Sequence, residues 1–186
     1  EVELSLTPTD QSVRQSEWRE RVATIASLHP LFHPRGVAVI GASRTPGSIG
    51  YRLLDALRLN RFAGRCYAVN PHAGTIAGVE AFPAVRNVPG PVDLAIIAVP
   101  KEAVLSVIDE CAAIGVRALV VITAGFAEVG EQGRQLQDHL LDRVRQHGMR
   151  MVGPNCFGIL KTDSAVRLNA TFTSTFPLVW SIAMSS

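Results

Sequence analysis

An apolar run that stops at a glycine-rich turn is the feature that most constrains how this chain can fold. Residues 39–50 read Val-Ile-Gly-Ala-Ser-Arg-Thr-Pro-Gly-Ser-Ile-Gly, and a helical pattern begins near Ile49. The β-branched run before Gly41 predicts a strand, so the turn joins a strand to the start of a helix. The first N–H groups of a helix lack partners within it, and the helix dipole favours negative charge there. The sequence therefore predicts that this turn binds a phosphate-bearing cofactor.

The turn departs from the fingerprint of dinucleotide-binding proteins. That fingerprint is G-x-G-x-x-G, followed about 20 residues later by an acidic residue for the ribose hydroxyls. Here Ser43 replaces the second glycine, and Gly47 and Gly50 come too late. The next predicted strand, residues 66–69, ends in Asn-Pro-His at 70–72, without Asp or Glu at its tip. The missing carboxylate disfavours NAD.

Two basic side chains near these turns could meet an additional phosphate. Arg44 lies in the first turn, and His72 follows the second predicted strand. NADP, or another nucleotide that carries an extra phosphate, is therefore tolerated better than NAD. Because exposed arginines are common, the alternative for Arg44 is a solvated loop residue.

Composition narrows the class of protein. The chain has 186 residues, of which 47% are hydrophobic and 18% charged, as is typical of a globular α/β protein. A net charge of +2 with scattered basic residues argues against a nucleic-acid or membrane-surface partner. No apolar run is long enough to span a bilayer, and no secretory leader is visible. The chain begins without Met, as a piece cut from a longer protein would. Cys66, Cys111 and Cys156 lack metal-type spacing, which fits a reducing cytoplasm. Cys66 and Cys111 fall on a predicted strand and a predicted helix face and are expected to be core thiols.

Three segments are expected along the chain. Residues 1–30 are predicted to form a linker and an amphipathic lead-in helix. The apolar positions of that helix are Trp18, Val22 and Ile25. Residues 31–172 contain the alternation of strands and helices, and residues 173–186 are predicted to begin a truncated second domain.

Within residues 31–172, strand patterns alternate with helix patterns. The predicted strands are 37–40, 66–69, 93–99, 117–123 and 149–152. The predicted helices are 49–62, one from Pro100 to Gly115, and one with Leu136, Leu140 and Val144 facing inward. The stretch 74–83 is expected to be irregular. Repeated strand–helix–strand units predict a Rossmann-like, doubly wound parallel sheet of the α/β class.

Five predicted turns collect at one edge of this sheet. They are residues 41–50, 70–72, 99–100, 123–128 and 153–156. Each turn breaks the pattern at a small, polar or proline residue. In doubly wound sheets, ligands bind outside the carboxyl ends of the strands, where the strand order reverses. Together the five turns therefore predict a ligand-binding cleft.

Six sequence blocks carry a resemblance to a known family. They read Pro-Arg-Gly-Val-Ala-Val-Ile-Gly-Ala-Ser at 34–43, Ala-Val-Asn-Pro at 68–71, Val-Asp-Leu-Ala-Ile-Ile-Ala-Val-Pro at 92–100, Ile-Thr-Ala-Gly-Phe-Ala-Glu at 122–128, Gly-Pro-Asn-Cys at 153–156 and Leu-Asn-Ala-Thr-Phe at 168–172. With these blocks in family order, the chain resembles the CoA-binding domain of the NDP-forming acyl-CoA synthetases. That family includes ADP-forming acetate–CoA ligase and is related to the succinyl-CoA synthetase α subunit. The resemblance implies coenzyme A or acyl-CoA as the cofactor.

The resemblance also implies which residues contact CoA. The first turn, which would hold the phosphates, contributes Gly41, Ala42, Ser43, Arg44, Ser48, Ile49 and Gly50, and the adenosine end lies near Asn70, Pro71 and His72. The residues expected along the pantetheine arm are Val99, Pro100, Thr123, Ala124, Gly125 and Phe126, and those near the thiol are Asn155 and Cys156. Lys101 could add charge for a phosphate or be a solvated lysine in the first turn of a helix. A bulky residue at Gly41 or Gly50 is expected to weaken CoA binding and to leave the fold largely intact.

No residue of this segment is expected to be catalytic, and no metal site is expected. No histidine can be placed beside Cys156 from the sequence, which favours a packing or cofactor-lining role for its thiol. None of the five histidines lies in the phosphohistidine motif of the family. The chain alone is therefore expected to bind CoA without turning it over.

The other parts of such an enzyme are expected elsewhere in a longer chain. The resemblance implies a second α/β domain and an ATP-grasp domain as partners, and a homo-oligomer is compatible with it. By analogy with bacterial fusions, a GNAT-type acetyltransferase domain is a further candidate. Three functions stay open: the CoA-holding part of an acyl-CoA synthetase, a regulatory CoA-sensing module of a fused acetyltransferase, and an NAD(P)-binding domain.

Overall fold

Helices and strands alternate along most of the chain. A computed structural model describes residues 10–72, 74–173 and 177. The helices are α1 (Asp10–Phe32), α2 (Ile49–Leu59), α3 (Lys101–Ala113) and α4 (Glu131–Gln146). The strands are β1 (Gly36–Ile40), β2 (Arg65–Val69), β3 (Thr75–Ile76), β4 (Val79–Phe82), β5 (Leu94–Ile97), β6 (Ala118–Val121), β7 (Arg150–Val152), β8 (Gly158–Lys161) and β9 (Leu168–Thr171). Short 3₁₀ turns span Val85–Asn87 and Ala127–Val129.

Strands β1 to β7 form one sheet in the order β3-β4-β2-β1-β5-β6-β7. All neighbouring pairs from β4 to β7 are parallel, and β3 joins the edge antiparallel to β4. The first strand, β1, lies in the middle of the sheet. Strands β2, β4 and β3 follow on one side of it, and β5, β6 and β7 follow on the other side. The strand order reverses between β1 and β5, which confirms the predicted Rossmann-like, doubly wound fold of the α/β class.

The central strands are buried on both faces. Every residue of β1, β5 and β6 is buried. Because successive side chains of a strand point to opposite faces, Val37 and Val39 pack in one cluster with Leu53 of α2, whereas Ala38 packs in another with Ile108 of α3. The near-continuous apolar runs in the sequence therefore correspond to strands that helices cover on both sides.

The stretch predicted to be irregular, residues 74–83, contains two strands. Thr75 pairs with Glu80 in the β3–β4 hairpin, and Ala81 pairs with Ala68, which adds β4 to the sheet as a parallel neighbour of β2. The two strands are two and four residues long and are separated by a turn at Gly78. Segments this short carry no recognisable apolar period, so the sequence-based prediction is wrong here.

A second hairpin, β8–β9, also lies outside the predicted elements. Strand β9 packs against α2. The Ala63 N–H donates to the Val166 carbonyl at 3.0 Å, and the Arg167 Nε donates to the Asn60 carbonyl at 2.9 Å. These bonds fasten the hairpin to the C-terminal end of α2. The hairpin thus covers a helix face that the parallel sheet alone leaves open.

Helix α1 is longer and more exposed than the predicted lead-in helix. It spans Asp10–Phe32 and continues through Pro30. Trp18 is 67% and Ile25 68% exposed, so the expected apolar stripe faces solvent. Leu31, near the C-terminal end of the helix, joins the core. The periodicity correctly indicated a helix but not which surface it covers.

The expected features at the two ends of the chain fall mostly outside the described residues. Residues 1–9 of the expected linker lie outside them, as does the expected start of a second domain at residues 173–186 except for positions 173 and 177. Across the described ranges, no helix combines the length and the hydropathy that a membrane crossing requires.

Candidate functional site

Two glycines shape the turn after β1. Gly41 has φ +87°, and a Cβ there would lie 2.3 Å from the Ala98 carbonyl oxygen. A Cβ on Gly50 would lie 2.2 Å from the Gly41 carbonyl oxygen, so α2 begins in direct contact with the turn. Both glycines are therefore needed for backbone packing. This corrects the expectation that bulky residues at these positions leave the fold largely intact.

Hydroxyl groups organise the same turn. Ser43 Oγ accepts from the Thr45 N–H at 3.1 Å, and Ser48 Oγ donates to the Thr45 carbonyl at 2.8 Å. Ser48 also caps α2, because its Oγ accepts from the Tyr51 N–H at 3.3 Å. The preceding N–H groups, at Ile49 and Gly50, lie in the first turn of the helix, where no earlier helical carbonyl faces them. N–H groups at the start of a helix are the donors that an anion-binding turn requires.

Asn70 links this turn to the end of β2. Its Nδ2 donates to the Ala42 carbonyl at 2.7 Å, and its Oδ1 accepts from the His72 N–H at 2.7 Å. Both ends of the amide are therefore used within the protein. His72 and Arg44 are exposed, and neither forms an ion pair with a described residue.

A cavity of about 290 Å³ lies at the carboxyl ends of β5, β6 and β7, next to the start of α2. Its lining includes these predicted site residues: Ile49, Val99, Thr123, Ala124, Asn155 and Cys156. Four further residues line it that the sequence analysis did not select: Ala98, Ile122, Phe157 and Phe172. Ala98 and Ile122 directly precede the predicted site residues Val99 and Thr123 in the sequence and could have been found from them. Phe172, by contrast, is brought here by the unpredicted β8–β9 hairpin.

A smaller cavity of about 200 Å³ lies on the side of β1, β2 and β4. Its lining includes the predicted Gly41, Asn70, Pro71 and Val99. The residues that sequence reasoning missed are Ile40, Val69, Pro83, Ala84, Val85, Val107 and Glu110. Three of these, Pro83 to Val85, directly follow β4. Because the sequence analysis did not predict β4, it did not predict that these residues line a cavity either. Val99 lines both cavities and is their shared wall.

Hydrogen bonds tie the ends of three strands together around the larger cavity. Thr123 Oγ1 donates to the Val99 carbonyl at 2.7 Å, and the Asn155 N–H donates to the Thr123 carbonyl at 3.0 Å. Asn155 has φ +53°, a left-handed conformation that asparagine tolerates better than most residues. This fixed backbone holds Asn155 and Cys156 at the cavity wall.

The Cys156 thiol is held in its neutral form. Its Sγ lies 3.4 Å from the Val121 carbonyl oxygen, to which it donates. Burial raises the pKa of this thiol above its ordinary value. A thiol with a raised pKa is a poor nucleophile, which agrees with the expected lining role.

Glu128 accepts hydrogen bonds from two backbone amides of the turn at residues 123–128. Its carboxylate accepts from the Gly125 N–H at 2.5 Å and from the Phe126 N–H at 3.2 Å. These bonds, foremost the one from Gly125, lower the pKa of Glu128, and the positive charge of Lys101 contributes. The Phe126 side chain is 1% exposed and packs in the core. The structure therefore does not bring this side chain to the cavity where a pantetheine contact was expected.

The remaining predicted residues line neither of the two cavities. They are Ala42, Ser43, Arg44, Ser48, Gly50, His72, Pro100, Lys101 and Gly125. Ala42 is buried, and Lys101 lies over Gly125, where a Cβ would be 2.8 Å from Lys101 Cδ.

Fold and site together define a nucleotide-binding α/β domain. A parallel sheet presents a strand–glycine turn–helix unit at its switch point, two cavities flank that turn, and the tip of β2 carries no acidic residue. The model of the CoA binding domain family matches residues 35–162. The chain belongs to this family, which decides for CoA and against a nicotinamide dinucleotide.

Known proteins of high similarity are ADP-forming ligases. The α subunit of acetate–CoA ligase [ADP-forming] II from Pyrococcus furiosus is 45% identical over 145 residues, which cover 78% of this chain and 31% of that protein. Acetate–CoA ligase [ADP-forming] II from Archaeoglobus fulgidus is 43% identical over 141 residues, 76% of this chain and 21% of that protein. A solved dinucleotide forming acetyl-coenzyme A synthetase 1 from Ca. Korarchaeum cryptofilum, in complex with phosphate and ADP, superposes with a TM-score of 0.72. It is 44% identical, and the match covers 78% of this chain and 30% of that chain. This chain is a CoA-binding domain homologous to the α subunit of ADP-forming acyl-CoA synthetases, and it spans less than a third of each of these three relatives.

Proposed function

We propose that CoA lies across both cavities, with its diphosphate at the turn between β1 and α2. The observation that carries the proposal is the position of that turn between the two cavities. Gly41 lines the smaller cavity, Ile49 lines the larger one, and Val99 is shared by both. A long ligand that enters both cavities would pass the first N–H groups of α2.

The chemistry of CoA suits this arrangement. Its phosphates need N–H donors and positive charge, which the start of α2 and the nearby Arg44 supply. Its pantetheine arm is uncharged and bears amides, so it suits a wall that is mostly apolar with a few polar groups such as Thr123 and Asn155. The adenosine part would then lie toward Asn70 and His72, and the thiol beside Cys156.

The chain would hold CoA while acyl-phosphate and nucleotide chemistry occurs on other domains. Two observations support a holding role: the Cys156 thiol has a raised pKa, and the relatives are longer ligases or ligase subunits, of which the match covers 31% and 21%. We propose residues 31–172 as the CoA-binding domain, preceded by the lead-in helix and followed by a second α/β domain. An ATP-grasp domain, a GNAT fusion, a homo-oligomer and a cytoplasmic location stay predictions.

Calorimetric titration of the chain with CoA, NADH and NADPH tests this function. We expect CoA to bind and both nicotinamide dinucleotides to bind much more weakly. Val99 lines both cavities, so Val99→Trp should fill space in both and abolish CoA binding. The control is Val129→Trp, at a valine that is 61% exposed in a 3₁₀ turn, and it should leave CoA binding unchanged. Binding of NADH in the absence of CoA binding would contradict the proposal.

A further inference from the structure

Phe157 is unusually exposed for its size. At 73%, it is the most exposed of the large apolar side chains in the described part of the chain. It follows Cys156 directly and lines the larger cavity together with Ile49, which is 47% exposed, and Phe172. We call these three residues the aromatic mouth. A contiguous apolar surface beside a cavity is typical of a site that a ligand covers.

The backbone on both sides holds Phe157 in this position. Before it, the Cys156 thiol is bonded to the Val121 carbonyl at 3.4 Å. After it, Gly158 has φ +104°, and a Cβ there would lie 1.9 Å from the Ala170 carbonyl oxygen. Gly158 is therefore pressed against β9. Both neighbours of Phe157 are therefore held by contacts with other strands.

The Phe172 ring has two contacts, one with an aromatic ring and one with a guanidinium group. Its ring lies 5.3 Å from that of Phe157, centroid to centroid, with 34° between the planes. The guanidinium carbon of Arg52 lies 5.7 Å from its centroid. The two rings thus form a preformed apolar wall, and α2 contributes Ile49 to the same opening.

The electrostatics of the cavity limit what can bind there. None of the described residues that line it carries a charge, and its polar side chains are Thr123 and Asn155, with the neutral thiol of Cys156. Arg52 lies beside Phe172 but does not line the cavity. An acyl group that ends in a carboxylate would lose water there without gaining a charged partner among the lining residues, which is unfavourable.

From these contacts we infer that the aromatic mouth holds the acyl group of an acyl-CoA and selects an uncharged hydrocarbon group larger than acetyl. The inference rests on the proposed function, since it requires the thioester to lie near Asn155 and Cys156. The acyl group is the next part of the ligand beyond the sulfur, and Phe157 is the next residue beyond Cys156. Phe157 and Phe172 are then specificity-determining residues.

The test is a calorimetric titration of the 186-residue chain with CoA, acetyl-CoA, phenylacetyl-CoA and succinyl-CoA. We expect phenylacetyl-CoA to bind about three- to tenfold more tightly than CoA, as a favourable aromatic contact does. Acetyl-CoA and succinyl-CoA should bind no more tightly than CoA. In the Phe157→Ala variant the gain should disappear, so that phenylacetyl-CoA binds no more tightly than CoA, and in Phe157→Leu part of the gain should remain. Trp18→Ala, at a similarly exposed aromatic on α1, should change neither affinity.

The possible failures are distinguishable. If no CoA compound binds, the proposed function fails and the inference fails with it. If CoA binds but all four ligands bind equally well, the inference fails and the proposed function stands. Equal weakening of CoA and phenylacetyl-CoA by Phe157→Ala would assign Phe157 to the pantetheine arm. Lower thermal stability with unchanged acyl selectivity would assign it to packing. Either result overturns the inference.

Discussion

The Asn70 side-chain nitrogen donates a hydrogen bond of 2.7 Å to the Ala42 carbonyl, which joins the turn after β1 to the end of β2. The same amide accepts from the His72 N–H through its oxygen. One side chain thus links two turns at the carboxyl edge of the sheet. In dinucleotide-binding sheets an acidic residue reads the ribose at the tip of the second strand, whereas here a neutral amide links two backbone segments.

This link makes Asn70 a positioning residue with a measurable effect. Asn70→Ala removes one part-buried and one exposed hydrogen bond, so we expect the free energy of unfolding to fall by about 1–2 kcal/mol. CoA affinity should fall as well, because the two turns lose this link. Chemical denaturation and calorimetric titration measure the two effects. Asn87→Ala, whose side chain bonds to no other described residue, is the control and should leave both quantities unchanged. Equal behaviour of the two variants would contradict the assigned link.

Alanine substitutions at Gly41 and Gly47 distinguish the effect of a close contact on stability from the effect of backbone conformation. Both have φ +87°, but a Cβ on Gly41 would meet the Ala98 carbonyl oxygen at 2.3 Å, whereas nothing lies within 4 Å of a Cβ on Gly47. Gly47→Ala should lower stability by about 1–2 kcal/mol through its left-handed conformation alone. Gly41→Ala should lower stability by a further ~1–3 kcal/mol from overpacking. Urea denaturation of the two variants checks the difference, and equal stabilities would refute the close contact.

The interaction of Asp93 with Arg35 makes the stability of the fold depend on pH. Its carboxylate accepts from the Arg35 N–H at 2.7 Å and from the Arg35 guanidinium at 3.0 Å. These hydrogen bonds, foremost that from the Arg35 side chain, lower the pKa of Asp93 below its ordinary value. A lowered pKa in the folded state stabilises the fold above the unfolded pKa of about 4, and this contribution is lost as the pH falls through the folded value.

Thermal unfolding between neutral and acidic pH tests this dependence. We expect Asp93→Asn to be less stable than the parent chain at neutral pH and to lose less stability than the parent chain on acidification. Asp138→Asn, at an exposed aspartate of α4 that forms no ion pair with a described residue, should follow the parent profile. Parallel profiles for Asp93→Asn and the parent chain would show that the Arg35 pair makes no contribution.

The three cysteines should react with iodoacetamide at different rates. Burial raises the pKa of Cys66 and Cys111 to about 12, so both should stay unmodified in the folded chain. Cys156 is half-buried and lines the larger cavity, so it should react first, although more slowly than a free thiol. At about 100 times the dissociation constant of CoA, its labelling rate should fall to about a hundredth. Peptide mass spectrometry measures each site, and unchanged labelling of Cys156 with CoA bound would place the thiol end elsewhere.

The amino-acid sequence by itself determined the fold class and the edge of the sheet where the site lies. Runs such as 93–99 and 117–123 are short, almost wholly apolar and bounded by turn residues. This pattern is typical of strands covered on both faces, so the parallel sheet could be predicted. Gly41, Asn70, Thr123 and Asn155 end such strands, and parallel strands place their carboxyl ends at one edge. The local sequence pattern is therefore sufficient to predict those strands and helices that are long enough to show a clear pattern of apolar residues.

Only the tertiary structure decided which of those residues face a cavity and what completes its walls. β4 and the β8–β9 hairpin are too short to show a period, and they bring Pro83 and Phe172 to the two cavities from distant parts of the chain. The contact of Gly41 with Ala98 and the use of the Gly125 amide by Glu128 likewise arise between segments. A residue type can indicate that a backbone turns, but the direction of a side chain depends on the neighbours that fill the space around it.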